Sequence, residues 1–363
     1  MPAAQATVWN FYAGPAALPR PALERAQGEL LNFAGTGMSV MEISHRAKPY
    51  MALHAEVQTL VRSLLGVPDS HDVLLLQGGA SLQFSMVPMN LAAAGGPAAY
   101  VNTGEWASKA AKEGKQLAGA TVVASSEATR FDHIPALPAI EPSCAYVHIT
   151  SNETVQGTQW QAFPDTGDVP LVADMSSDIM SRPLDVRRFG LIYAGAQKNL
   201  GPSGVTLVVV DKRLYERIPK GLPTMLDYRT HAQADSMYNT PPTLAVYMLR
   251  NVLSWLQDQG GVSSIAARNG RKAERLYEVI DRHSDLYAGH ARPEARSTMN
   301  VTFRLPDEAI EKAFLQGAEA VGLVGLAGHR SVGGCRASIY NAMPEEGVAA
   351  LAEFMLAFAR RGA

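Results

Sequence analysis

The chain has 363 residues, 47% of them hydrophobic and 18% charged, enough to bury a sizeable core in two or more domains. Its 32 Lys and Arg against 34 Asp and Glu leave a net charge of −2, which excludes a global field that gathers nucleic acid or an anionic membrane and makes any anion specificity local. The apolar runs, such as Val205 to Val210, fall far below the roughly 18 residues of a membrane span, and Met1 to Leu18 lacks the apolar region of a leader, so the expectation is a cytoplasmic protein.

In chain order, Trp9 to Leu18 (WNFYAGPAAL) is too irregular for a large sheet and is expected to pack on a smaller domain. From about Arg20 to Leu256 short apolar runs alternate with amphipathic stretches, the rhythm of α/β structure with a mainly parallel sheet. The predicted strands are Val73 to Leu76, Ala98 to Asn102, Ala120 to Ala124, Ala145 to Thr150, Leu171 to Asp174, Leu191 to Gly195 and Val205 to Val210. Seven strands make one central sheet. After Leu256 the pattern changes to a long helix, about Gly261 to Ser284, then strands Ser297 to Phe303 and Cys335 to Tyr340, each with a helix, which reads as a smaller α+β domain. The expected division is a large domain, 18–256, and a small one made of 1–17 and 257–363. No Pro/Gly linker separates them, so they are expected to share a substantial interface, and ligands of such folds sit at the carboxyl ends of the strands and in the crevice.

The most informative stretch is YAGAQKNLGPSG (Tyr193 to Gly204), where Lys198 follows a predicted strand among small residues. A lysine in a crowded, mostly apolar site loses its proton near neutral pH and forms a Schiff base with an aldehyde cofactor. Taken alone, such a lysine is most often an ordinary surface residue. Asp174, ending the predicted strand 24 residues earlier, changes that reading. Pyridoxal phosphate draws electrons only while its ring nitrogen stays protonated, and a carboxylate held against that nitrogen keeps it so. Two neighbouring strands would place acid and amine at one sheet edge, whereas without the lysine Asp174 is simply a helix-capping residue.

The third requirement is a phosphate cradle. QGGASLQF (Gln77 to Phe84) supplies a glycine turn between a strand and a helix, where backbone N–H groups bind phosphate, with Ala80 and Ser81 as the candidate donors. Its glycines fail the G-x-G-x-x-G pattern, which argues against a nicotinamide dehydrogenase. Trp106, in NTGEWASK, either stacks on a pyridine face or fills the core. Thr154, in SNETVQG, is a hydroxyl partner for the cofactor's phenolic oxygen. Cys144 and Cys335, far apart, have neither zinc nor disulfide spacing, so free thiols and no metal are expected.

The segments NFYAGPA, SVMEISHR (Ser39 to Arg46), SNETVQG, DMSSDIMSRP (Asp174 to Pro183), YAGAQKNLGPSG, MYNTPPT (Met237 to Thr243) and GHRSVGGCRASIYNAMP (Gly328 to Pro344) resemble, in order and spacing, the phosphoserine aminotransferase family of the class V, fold-type I aminotransferases. The resemblance runs from about Asn10 to the C-terminus. It implies Lys198 as the Schiff-base lysine, Asp174 on the ring nitrogen, Trp106 stacked on the ring and Thr154 on the phenolic oxygen. It further implies Ala80, Ser81 and Gln197 on the cofactor phosphate, joined by Asn239 and Thr240 of a second subunit, hence a homodimer with shared sites. For the substrate it implies Arg336 on the α-carboxylate, with His329, Arg330 and, from the other subunit, His45 and Arg46 around the side-chain phosphate. Two His-Arg pairs far apart in sequence agree with this, since guanidinium forks suit phosphate and carboxylate. The implied partners are phosphoserine, glutamate and 2-oxo acids, with a 4-phosphohydroxythreonine reaction in cofactor biosynthesis as a further role. Some members carry arginine where this chain has Ser81, so the phosphate site here is one cation poorer.

Two readings compete. A desulfurase of the same fold needs an exposed nucleophilic cysteine, and Cys335 sits at a predicted strand start beside Arg336. A non-catalytic protein on this scaffold would be expected to lack Lys198 or Asp174, and both are present.

Overall fold

Inner strands of the large sheet in the computed structural model, which describes residues 7–92 and 96–360, send alternate side chains into different cores, while one edge strand, Thr121–Ser125, is largely exposed. Along one strand Ile192 and Ala194 join the first core while Leu191 and Tyr193 join the second. Burial on both faces is why these strands read as continuous apolar runs and not as alternating ones. A short strand β1 (Trp9–Asn10) precedes them, and the sheet itself contains β2 (His71–Leu76), β3 (Ala99–Asn102), β4 (Thr121–Ser125), β5 (Val147–Thr150), β8 (Leu171–Asp174), β9 (Leu191–Gly195) and β10 (Thr206–Asp211). Their order is β2-β10-β9-β8-β5-β3-β4, parallel except for β10, which runs against both its neighbours. The expected fold, a mainly parallel seven-stranded sheet in an α/β protein, is the one found.

Helices α1 (Arg20–Glu29), α2 (Lys48–Leu65) and α6 (Thr243–Asp258) cover one face, and α3 (Gly79–Leu91), α4 (Glu105–Ala118) and α5 (Tyr228–Gln233) the other. Between β5 and β8 a two-stranded hairpin, β6 (Asn152–Glu153) and β7 (Thr158–Gln159), projects from the sheet edge.

A separate core forms around β11 (Ala288–Gly289), β12 (Asn300–Arg304) and β14 (Cys335–Ser338), covered by α7 (Gly261–Arg282), α8 (Glu308–Ala320) and α9 (Glu345–Arg360). Phe314 sits at its centre, edge-on to Phe303, Tyr287, Phe354 and Phe358 at 5.2 to 6.0 Å between ring centroids. The irregular N-terminal stretch contributes here: β1 pairs with β13 (Leu323–Val324), and Phe11 is fully buried in this core. Helix α7 belongs to both bodies, because Val262 and Ile265 pack in the large core whereas Leu276 and Ile280 pack in the small one. β14 stops at Ser338, short of the Tyr340 expected from the apolar pattern, and just beyond it buried Lys272 of α7 donates to the carbonyls of Ile339, Tyr340 and Met343 at 2.8, 2.8 and 3.0 Å.

Candidate active site

Strands β2, β3, β5, β8 and β9 all run in one direction, so the residues that follow them gather at one edge of the sheet. Asp174 is the last residue of β8, and Lys198 lies three residues past the end of the adjacent β9. A single cavity there is lined by Ala80, Ser81, Trp106, Asp174, Gln197 and Lys198. Thr154 joins it through the Lys198 amine, whose Nζ donates to Thr154 Oγ1 at 2.7 Å.

Asp174 is buried and asymmetric. Its Oδ1 accepts from the Ser176 N–H at 2.9 Å and the Ser176 hydroxyl at 2.6 Å, while Oδ2 accepts nothing among the described residues. Burial pushes its pKa up, against the lowering effect of Ser176 and Lys198. Ser176 Oγ in turn accepts from the Gly195 N–H at 3.0 Å, which ties the ends of β8 and β9 together.

Lys198 is partly buried, and desolvation brings its ammonium pKa down to about 8, opposed by Asp174 and Glu153 and reinforced by Arg336. Its Nζ lies 5.5 Å from the centroid of the Trp106 ring. Gly14, at φ +146°, passes so close that a Cβ would stand 3.4 Å from Lys198 Cγ, so a side chain there would be both strained and crowded.

Where QGGASLQF meets the cavity, Gly78 and Gly79 take φ of +89° and +66° and turn the chain sharply into α3. No side chain caps this helix. The N–H groups of its first turn therefore remain available to an anion.

The remaining candidates fall into two sets. Arg336, on β14, reaches the hairpin through a 3.4 Å contact from Nη1 to the Thr154 carbonyl, and its Nε is buried with no partner among the described residues. His329, whose Nδ1 shares a 2.7 Å hydrogen bond with the Ser331 hydroxyl, has its pKa lowered by burial and has Glu105, Arg336, Lys109 and Arg330 as charged neighbours. Arg330 is exposed. By contrast His45 and Arg46 line a different cavity with Met51, Ala234, Met237 and Tyr238, and Asn239 lines a third beside Gln77. Thr240 meets Gln77, whose Nε2 donates to the Thr240 carbonyl at 3.3 Å. The chain does not bring these four residues into the Lys198 cavity.

Sequence reasoning missed Ser176 and Glu153, both inside motifs that were quoted for other residues. Glu153 is buried and accepts from the N–H groups of Trp106 and Ala107. Ser176 carried a weak signal, a hydroxyl two residues past a strand-ending Asp; Glu153 carried none, because its partners lie 46 and 47 residues away.

Known proteins share this architecture. The model of the aminotransferase class-V family matches residues 8–351, and the chain belongs to that family. At the level of particular relatives, it is 60% identical over 355 residues to the phosphoserine aminotransferase of Geobacillus kaustophilus (strain HTA426), covering 97% of this chain and 98% of that one. Among solved structures it is similar to phosphoserine aminotransferase from Bacillus circulans subsp. alkalophilus, with a TM-score of 0.96 and 51% identity over 98% of this chain and 99% of that one. It is also similar to the pyridoxal-phosphate-bound phosphoserine aminotransferase from Trichomonas vaginalis, with a TM-score of 0.90 and 39% identity over 96% and 100%.

Proposed function

We propose that the chain is a pyridoxal-phosphate-dependent phosphoserine aminotransferase, moving an amino group between glutamate and 3-phosphohydroxypyruvate to give O-phospho-L-serine and 2-oxoglutarate. The observation that carries this reading is the pairing, at one sheet edge, of the Lys198 amine on Thr154 with the unpartnered Oδ2 of Asp174. The donor set fits the cofactor: a partly buried amine, a free carboxylate oxygen, an aromatic ring beside them and uncapped N–H groups at the start of α3.

When bound, the cofactor supplies the electron sink that lets a proton leave the substrate Cα. Asp174 Oδ2 would hold the proton on the ring nitrogen, Thr154 would meet the phenolic oxygen, and Trp106 would lie against the ring. Ala80, Ser81 and Gln197 would hold the phosphate, with Asn239 and Thr240 of a second copy. Lys198 Nζ would take and return the Cα proton, and with its pKa lowered to about 8 a far larger fraction of it is neutral near neutral pH than of an ordinary lysine. Arg336 pairs with the α-carboxylate. His329 and Arg330, with His45 and Arg46 of the second copy, surround the side-chain phosphate, and glutamate's γ-carboxylate uses the same cations. The phosphate and α-carboxylate of 4-phosphohydroxy-L-threonine would suit the same cations, which extends the proposal to cofactor biosynthesis.

Support for the homodimer comes from the exposed apolar residues Leu31, Met38, Met41, Met51 and Tyr238, two of which line the cavity that holds His45 and Arg46. The same reading places the enzyme in the cytoplasm and makes 18–256 one domain and 1–17 with 257–363 the other, articulated at α7. Purified protein given O-phosphoserine and 2-oxoglutarate should form glutamate, and serine in place of phosphoserine should lower kcat/KM by on the order of 10²-fold or more, because it leaves the cations unpaired. Equal rates with the two donors would remove the phosphate site from the proposal, and absence of turnover would remove the reaction.

A further inference from the structure

The first turn of α4, which carries Trp106, is held from outside its own segment. Its N-cap is Gly104, which offers no side chain. Instead the Glu105 N–H donates to Gln156 Oε1 at 3.3 Å, the Trp106 N–H to Glu153 Oε2 at 3.2 Å and the Ala107 N–H to Glu153 Oε1 at 2.8 Å. Both acceptors belong to the β6–β7 hairpin and its turn, the segment whose Thr154 accepts from Lys198. A Cβ on Gly104 would stand 2.6 Å from Glu153 Cδ and 2.5 Å from Gln156 Oε1, so this approach requires glycine at position 104.

A helix start is ordinarily capped by a Ser, Thr, Asp or Asn at the first position, where the carboxyl or hydroxyl stays near water. Glu153 is instead fully enclosed, and burial raises its pKa to about 7 against the lowering effect of the two N–H groups, with Asp174 and Lys198 as its charged neighbours. Arg336 reaches the same hairpin at the Thr154 carbonyl, and Glu105 pairs with Lys109 on α4 at 3.1 Å. Burying a carboxylate next to another carboxylate costs far more than a surface cap would. Its location therefore speaks for a task at the site.

We propose that Glu153 is a positioning residue: its carboxylate grips the backbone of Trp106 and Ala107, fixing the Trp106 ring beside Lys198, and sets a second negative charge near the Lys198 nitrogen. Together with Thr154, it makes the hairpin a single unit that orients both the aromatic ring and the amine. This inference rests on the reading of Lys198 and Trp106 as cofactor-contacting residues.

The test uses Glu153→Gln, which removes the charge and leaves one oxygen for two N–H donors. In protein without cofactor, acrylamide quenching of Trp106 fluorescence, isolated by difference from Trp106→Phe, should exceed that of wild type. In protein loaded with pyridoxal phosphate, the pH midpoint of the visible absorbance of the lysine-linked cofactor should move down by about one pH unit, because a negative charge that favours the protonated nitrogen is gone. A cap with only a structural role would leave that midpoint in place. Quenching and midpoint both unchanged in a folded Glu153→Gln protein would overturn the proposal. Should that variant fail to fold, Glu153→Asp decides it: the shortened carboxylate should raise quenching while the midpoint stays near wild type, and unchanged quenching counts against the idea. If the wild-type protein binds no pyridoxal phosphate, the functional reading fails, whereas the quenching result still decides whether Glu153 positions Trp106.

Discussion

Asp174 and Thr154 are buried and Lys198 is partly buried, all three joined to their neighbours by short hydrogen bonds, whereas Arg46, Arg330, Asn239 and Thr240 stand exposed on loops. Asp174 ends one strand of the sheet and Lys198 follows the adjacent one, Thr154 comes from the β6–β7 hairpin, and one chain brings all three together. The exposed residues are spread over three segments, and two of these line cavities that do not contain Lys198. On the proposed reading the difference separates two tasks. Holding a proton on a ring nitrogen or at an amine demands fixed, desolvated groups made in advance, while meeting the phosphates of cofactor and substrate can wait until ligand and a second copy arrive.

The comparison breaks first at Asp174. If the enclosed group does the chemistry, Asp174→Ala should lower kcat by about 10²- to 10³-fold, the effect of removing one oriented electrostatic group, while steady-state kinetics show little change in KM for phosphoserine. A loss confined to KM would move Asp174 to the recognition side.

On the exposed side, Arg46→Ala or Arg330→Ala should raise KM for phosphoserine roughly tenfold or more, the size of a lost charge-assisted hydrogen bond, and leave the cofactor spectrum unaltered. Mixing Arg46→Ala with Lys198→Ala protein sharpens this further. Subunit exchange should restore some turnover through hybrid dimers, and no recovery after demonstrated exchange would show that Arg46 does not act across subunits.

The smallest expected effect is that of pH on the free amine. Because the Lys198 ammonium is held at about 8, below the ordinary lysine value, the neutral amine predominates above that pH and declines as pH falls through it. The rate of pyridoxal phosphate capture by the cofactor-free protein should drop about fivefold from pH 8 to pH 7, following the neutral fraction, and a flat profile would contradict the lowered pKa.

Much of the enclosed group was readable from the amino-acid sequence, because β8 and β9 are unbroken apolar runs that end at a polar or glycine residue, and their bounds, Leu171–Asp174 and Leu191–Gly195, are those the pattern predicts. The β6–β7 hairpin was not. Its strands are two residues long and polar, so they carry no periodicity, yet they set Thr154 on Lys198 and Glu153 on α4. The N-terminal stretch shows a third case: Trp9–Asn10 becomes a strand only because Leu323–Val324, more than 300 residues later, offers it an edge. Contacts of that reach leave no local trace, and the same holds for the hydrogen bonds from Lys272 to the backbone just past β14.

The central claim is that Lys198 is the amine that holds the cofactor. Borohydride reduction of protein loaded with pyridoxal phosphate, followed by proteolysis and mass spectrometry, tests it directly. A phosphopyridoxyl label is expected on the peptide containing Lys198, and none on that peptide in Lys198→Ala. A label on another lysine, with Lys198 unmodified, would contradict it.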